Sequence, residues 1–254
     1  GEGRMAEPEE IAKLVEGFLE GLPEGQPLKG KKALVTSGPT VEAIDPVRYI
    51  ANRSSGKQGY AIAEMLASFG AEVTLISGPT QLTKPANVKF IQVESAREML
   101  DQCMKVLPVD IAVCAAAVAD WRAAEVATQK IKKDKKHGED QAFVFMENPD
   151  ILECISKHDT KRPALVIGFA AETENLIKNA KEKRKRKGCD WILANDVSGG
   201  KVFGEDETKI SFISENETEK WGALSKRKTA FNLASKIAKY FEKKKIVQLE
   251  RKVK

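Results

Sequence analysis

The sequence predicts an α/β fold: a three-layer, doubly wound domain on a mostly parallel, Rossmann-like sheet with an added β edge. Two observations carry the prediction. From Lys31 onward, strand-like and helix-like segments alternate, as in a chain of βαβ units. The strand-like segments are also continuous apolar runs rather than in–out alternations, the pattern of parallel strands buried on both faces. A chain of 254 residues can bury such a core without disulfide or metal staples. At about 150 residues per domain it holds one large domain or two small ones.

The elements follow in order. Pro8 to Leu19 places Ile11, Leu14, Val15 and Leu19 at helical spacing, and Gly21 to Leu28 reads as a Pro/Gly linker. Ala33 to Thr36 is a short apolar strand ending in Ser37-Gly38-Pro39-Thr40, and a long loop from Val41 to Ser55 leads into a helix from Gly56 to Phe69, stopped by Gly70. Glu72 to Ile76 and Val88 to Val93 are the next strands. Ser95 then caps a helix through about Val106, with Glu98 completing a capping box. Asp110 to Ala115 is a fourth strand with an alanine-rich end. Asn148-Pro149-Asp150-Ile151 reads as a helix start with Asn148 as cap and Pro149 in the first position. Strand Ala164 to Phe169, helix Asn175 to Lys187 and strand Trp191 to Ala194 repeat the alternation. Lys209 to Ser214 adds an edge strand, and Lys226 to Lys243 forms a closing helix.

Composition excludes several functions. Lys and Arg number 42 against 37 Asp and Glu, a net +5; this suits anionic small molecules and is too mild for a dedicated nucleic-acid or membrane binder. Two histidines, His137 and His158, leave little material for histidine-based metal sites or triads. Cys103, Cys114, Cys154 and Cys189 form no CxxC pair and read as buried thiols of a reducing, cytoplasmic compartment. The longest apolar run, Ile111 to Ala119, is one buried strand rather than a membrane span. The chain opens on Gly1 with no signal-peptide pattern, which predicts a piece of a longer polypeptide.

In a doubly wound sheet, ligands sit beyond the carboxyl ends of the strands, so site residues are sought there. Asn52 to Gly59 brings Ser54, Ser55 and Gly56 to a helix start. Both a phosphate cradle and a plain capping loop satisfy that pattern, and neither a Walker motif nor G-x-G-x-x-G is present. Arg48 and Asn52, four apart in the same loop, read on their own as structural hydrogen-bonders rather than site residues. Asp120 follows the alanines as a ligand acceptor, a metal neighbour or a turn aspartate. Lys130 to Lys136 is a solvated face or a basic arm able to close over phosphates. Phe169 stacks a base or fills the core. Lys183 and Lys187 share one helix face, which also suits a solvated, dipole-matched C-terminus.

Seven stretches taken together carry a resemblance. Thr36–Thr40, Asp45–Gly59, Ala116–Ala123, Lys130–Lys133, Asn148–Ile151, Gly168–Thr173 and Ala194–Val197 resemble, in order, the bacterial phosphopantothenoylcysteine synthetase domain of the bifunctional coenzyme A biosynthesis protein. Gly3 to Pro8 resembles the tail of the decarboxylase domain that precedes it. The resemblance implies an upstream tail and linker at 1–27, a phosphopantothenate–cysteine ligase domain at 28–246 and a basic tail at 247–254, without FMN in this piece. It implies a ligase that uses CTP with Mg²⁺ to activate 4′-phosphopantothenate as an acyl-cytidylate and passes the acyl group to L-cysteine. It makes Asn52 and Lys130 catalytic. It gives substrate contacts to Arg48, Asn52, Ala116, Ala117 and Asp120. Nucleotide contacts fall to Gly38, Ser54, Ser55, Gly56, Cys114, Ala115, Ala116, Asp120, Lys130, Pro149, Asp150, Ile151, Leu152, Phe169, Lys183 and Lys187. Asp120 is the implied metal neighbour. Arg48 is implied to reach the partner's site in a homodimer with shared active sites and a dimerisation/active-site arm.

Two competing readings make other expectations. A non-catalytic nucleotide-binding Rossmann-like module would bind NAD(P), without its fingerprint glycines. A nucleic-acid binder acting through the lysine runs would show salt-steep affinity, against the mild charge and 6% aromatic content.

Overall fold

The structure is a computed structural model that describes residues 25–132, 142–198 and 207–253. The helix expected over 8–19, the lysines from Lys133 to Lys136 and His137 lie outside these residues.

The strands are β1 (Lys32–Ser37), β2 (Val41–Ala43), β3 (Tyr49–Ala51), β4 (Glu72–Ser77), β5 (Lys89–Gln92), β6 (Ile111–Cys114), β7 (Trp121–Ala123), β8 (Phe145–Glu147), β9 (Leu165–Glu172), β10 (Trp191–Asp196), β11 (Glu207–Ile213) and β12 (Thr218–Ser225). The helices are α1 (Lys57–Ser68), α2 (Ala96–Val106), α3 (Ile151–Ser156), α4 (Leu176–Lys187) and α5 (Lys226–Val253). The main sheet runs β12-β11-β10-β9-β6-β1-β4-β5. From β5 to β10 every pairing is parallel, and β11 and β12 add an antiparallel edge. The chain leaves β1 toward β4 and β5, then crosses back to β6 on the other side of β1. That reversal puts the topological switch point between β1 and β6.

The continuous apolar strands are explained by two cores, one on each face. Ala33 and Val35 of β1, with Leu165 and Ile167 of β9, pack with Ile62, Leu66, Leu233 and Ile237 of α1 and α5. Leu34 and Val166, the alternate residues, pack with Met99 and Cys103 of α2 and Ile155 of α3. Each strand residue therefore has an apolar partner whichever way it points. Among the described residues, no helix is long and apolar enough to cross a membrane.

Several expectations are corrected. The long loop over 41–55 contains a hairpin, β2–β3, with Val41 paired to Ala51. A second hairpin, β7–β8, pairs Trp121 with Glu147. The edge has two strands rather than one, because β12 alternates half-buried and exposed positions around Gly222 and lacks an apolar run. The cap of α3 is Asp150, whose carboxylate accepts from Glu153 N–H at 2.8 Å. Asn148 does not cap, because its side-chain amide donates to Ala119 O at 2.9 Å. Ser95 caps α2 as expected, but Glu98 reaches past it to accept from Glu94 N–H. The closing helix runs through residue 247 to Val253 without a break, since no Gly or Pro follows Lys226.

Candidate active site

A cleft of about 1090 Å³ opens at the carboxyl ends of β1, β6 and β9, where the strand order reverses. Its floor is the run from Cys114 to Asp120. This run is stitched to the end of β1 by alternating bonds. Ala115 N–H donates to Thr36 O (3.1 Å), Ala117 N–H to Gly38 O (2.9 Å) and Ala119 N–H to the Thr40 hydroxyl (2.9 Å). Alanines leave that backbone uncovered, so a flat ligand group can lie on it. Burial, foremost, pushes the Cys114 thiol well above its ordinary pKa, which leaves it a neutral lining residue.

One rim is the segment from Asn52 to Gly59. Gly56 takes a left-handed φ of 76° and heads α1 without a side-chain cap. The Ser37 hydroxyl donates to Gly56 O at 2.8 Å, and a Cβ at Gly59 would fall 2.3 Å from Ser37 Oγ. Only glycine lets the first turn of α1 rest on the end of β1, where Lys57, Gln58 and Gly59 line the cleft. That arrangement turns the helix N-terminus toward an anion. Asn52 is exposed and donates from Nδ2 to Val118 O at 2.9 Å, bridging rim and floor.

The opposite wall is formed by Pro149 to Glu153 and by Lys183 and Lys187 of α4, with Phe169 half-buried in the second half of β9. Lys187 Nζ pairs with Asp150 Oδ2 at 2.5 Å and Glu153 Oε2 at 3.1 Å. Burial alone would lower the pKa of Lys187, but those carboxylates outweigh it and raise it. For Lys183 burial wins over Glu172 and Asp150 and lowers the pKa. The wall thus holds one neutralised and one weakly opposed cation.

The cleft brings together Asn52, Ser54, Ser55, Gly56, Cys114, Ala115, Ala116, Ala117, Asp120, Pro149, Asp150, Ile151, Leu152, Phe169, Lys183 and Lys187. Three residues fall outside its lining. Gly38 packs beneath it, its Cβ direction blocked by Gly78 O. Arg48 is bound to Asp45 and Ile131. Lys130 is exposed beside that contact. The structure adds lining residues to which the sequence reading gave no part in the site: Lys57, Glu147, Asn148, Asn195, Val197 and Lys226. Asn195 and Val197 lay inside a quoted stretch and could have been found there. Lys226 had no signal, because it follows the unrecognised strand β12. Among the described residues, no group of three or more His, Cys, Asp or Glu could hold a metal ion.

Residues 28–241 match the family described as DNA/pantothenate metabolism flavoprotein C-terminal domain. The chain is 46% identical over 244 residues to the coenzyme A biosynthesis bifunctional protein CoaBC of Haemophilus influenzae, covering 96% of the chain and 59% of that protein. To the Vibrio vulnificus protein of the same name it is 45% identical over 213 residues, covering 83% of the chain and 52% of that protein. The chain thus spans between half and three-fifths of these curated relatives. Its structure matches that of the C-terminal domain of a CoaBC protein with a TM-score of 0.72 at 36% identity, covering 86% of this chain and 100% of the other.

Proposed function

The chain belongs to the DNA/pantothenate metabolism flavoprotein C-terminal domain family, and we propose from that premise that it is a phosphopantothenate–cysteine ligase of coenzyme A biosynthesis. The observation that carries the proposal is the cleft itself. It sets an uncovered alanine floor and an asparagine at one rim against a lysine-bearing wall, in a family whose relatives bear the name of coenzyme A biosynthesis.

The reaction runs in two displacements. A carboxylate oxygen of 4′-phosphopantothenate attacks the α-phosphorus of CTP, the bond to the β-phosphate breaks, and pyrophosphate leaves. The product is an acyl-cytidylate, a mixed anhydride. The amine of L-cysteine then attacks the acyl carbon, the bond to CMP breaks, and the amide remains after the amine loses a proton. The protein's part is alignment and charge stabilisation. The bare amides at the start of α1 and the ammonium groups of Lys183 and Lys187 receive phosphate charge. Asn52 contacts the acyl group, and Lys130 stabilises charge in the transition state.

The acidic side chains at the cleft suit Mg²⁺ carried in on the triphosphate: Asp120 and Asp150 line it without forming a cage, and Mg²⁺ is commonly held by one or two carboxylates plus substrate phosphates. When bound, it would neutralise the leaving pyrophosphate.

A homodimer belongs to the same proposal. Val47 and Tyr49 of the β2–β3 hairpin, and Trp121, Val144, Phe145 and Met146 at β7–β8, are all exposed, up to 75% for Val144. The two hairpins pack on each other through β2 and β7, and a second copy seated there would cover exposed apolar side chains of both. Product formation tests the activity. With CTP, Mg²⁺, 4′-phosphopantothenate and L-cysteine, mass spectrometry should find 4′-phosphopantothenoyl-cysteine, and no product should form without CTP. Absence of the amide under these conditions would refute the assignment.

A further inference from the structure

Asp45 lies in the turn between β2 and β3 with its side chain fully buried. Its Oδ1 accepts from the N–H groups of Val47 (2.8 Å) and Arg48 (2.9 Å), which suffices to close the turn. Its Oδ2 accepts from Arg48 Nε (2.9 Å) and Nη2 (2.5 Å) and from the N–H of Ile131 at 3.1 Å. Arg48 Nη2 also donates to Ile131 O at 2.7 Å. Both backbone groups of Ile131 are therefore held by one ion pair from a distant part of the sequence. A further bond, Ala127 N–H to Ile44 O at 3.0 Å, fastens the same segment to the same turn.

The turn does not need these outer bonds, and the segment they hold has no strand or helix of its own from Ala124 to Lys132. A buried carboxylate is costly unless it is fully paired, and here its pairing is spent on that segment. Burial alone would raise the pKa of Asp45. The Arg48 guanidinium and the N–H donors of Val47, Ile131 and Arg48 outweigh it and hold the carboxyl well below the usual carboxylate range. The clamp is therefore charged throughout the neutral pH range.

What the clamp fixes is the chain beside Lys130, the residue before Ile131. The same hairpin ends at Ala51, directly before Asn52. One small element thus carries Asn52 at its exit and grips the neighbour of Lys130 at its turn. The geometry points to Asp45 as a positioning residue that, through Arg48 and Ile131, fixes the backbone of Lys130 relative to Asn52. The roles of Lys130 and Asn52 rest on the ligase reading; the clamp itself does not.

Asp45→Asn keeps the side chain's size and removes the charge that gathers these donors. In this variant kcat for pyrophosphate release should fall about 10- to 100-fold, the scale expected for a misplaced catalytic group, with KM for CTP nearly unchanged. In a Lys130→Gln background the same substitution should add less than about 3-fold, because the residue it acts through is gone. Equal losses in both backgrounds would mark a merely structural role and overturn the proposal. Hydrogen exchange supplies a readout that needs no activity: the Ile131 amide should exchange faster in D45N while amides of β9 do not change. Unchanged exchange at Ile131 overturns the clamp. A wild-type chain that releases no pyrophosphate overturns the ligase reading instead, and the exchange data alone then decide the clamp. If D45N loses its cooperative melting transition, Ile131→Pro, which removes the N–H that Asp45 accepts from, carries the same kinetic test, with exchange read at the Ala127 amide that donates to Ile44 O.

Discussion

The floor of the cleft and the hairpin layer beside it are built by different means. The floor hangs from parallel strands, and alternate residues of it are stitched to the end of β1 by hydrogen bonds between neutral groups. The hairpin layer consists of strands three residues long with exposed apolar side chains, pinned at its turn by one buried ion pair. The floor has a shape of its own. The layer gains much of its definition from polar clamps and from whatever covers its apolar side. Substitutions in the first should therefore cost stability, and substitutions in the second should cost turnover or assembly.

The largest expected effect falls under the floor. A Cβ at Gly78 would lie 1.6 Å from Pro39 O, and Gly78 N–H donates to Ser37 O at 3.0 Å, so neither side can retreat. Gly78→Ala should cost at least about 4 kcal/mol, at the diagnostic end of single substitutions. Calorimetry should show Tm lowered by roughly 8–16 °C for a domain of this size. A melt within 2 °C of wild type would mean that the floor yields.

On the rim the expectation reverses. Asn52→Asp abolishes the donor to Val118 O and sets a negative charge where the proposed reading seats the acyl group. Turnover should fall about 10²- to 10³-fold, as for loss of a preorganised donor, while Tm moves little because the residue is exposed. A stability loss comparable to that of Gly78→Ala would erase the distinction between the two regions.

The wall is intermediate. Lys187→Met should raise KM for CTP about 10-fold, the worth of one hydrogen bond to a charged group, and leave kcat within about 3-fold. A pure kcat loss would move Lys187 from nucleotide binding into the chemistry. In the hairpin layer, Tyr49→Ser combined with Phe145→Ser should convert the proposed dimer to monomer in sedimentation velocity without unfolding it. A dimer that persisted would place the interface elsewhere.

The smallest effect is expected at the N-terminus of α2, outside the cleft lining. Ser95→Ala deletes the α2 cap and should cost about 1 kcal/mol with unchanged turnover.

The same contrast explains what was legible in the sequence. The parallel strands were readable because burial on both faces leaves an uninterrupted apolar signal, as in Leu165–Ile167. The hairpins were not, because three half-exposed residues such as Tyr49–Ala51 carry no such signal. Asp150 was displaced as cap in the reading by Asn148, whose amide is taken by Ala119 O, a partner distant in sequence. At the site, the alanine floor was visible through the stretch that contains it, and the α4 lysines through their spacing on one helix face. Lys226 was invisible because it reaches the cleft only through the antiparallel edge. The Asp45–Ile131 clamp was equally hidden, since nothing local to either residue announces the other.

The most direct test of the account is pyrophosphate release measured with CTP, ATP, GTP and UTP in turn, with Mg²⁺ and 4′-phosphopantothenate, before and after L-cysteine is added. The account predicts a burst of about one pyrophosphate per active site with CTP alone among the four, sustained turnover once cysteine is present, and no release without phosphopantothenate. No release with CTP, or release that ignores phosphopantothenate, would contradict it.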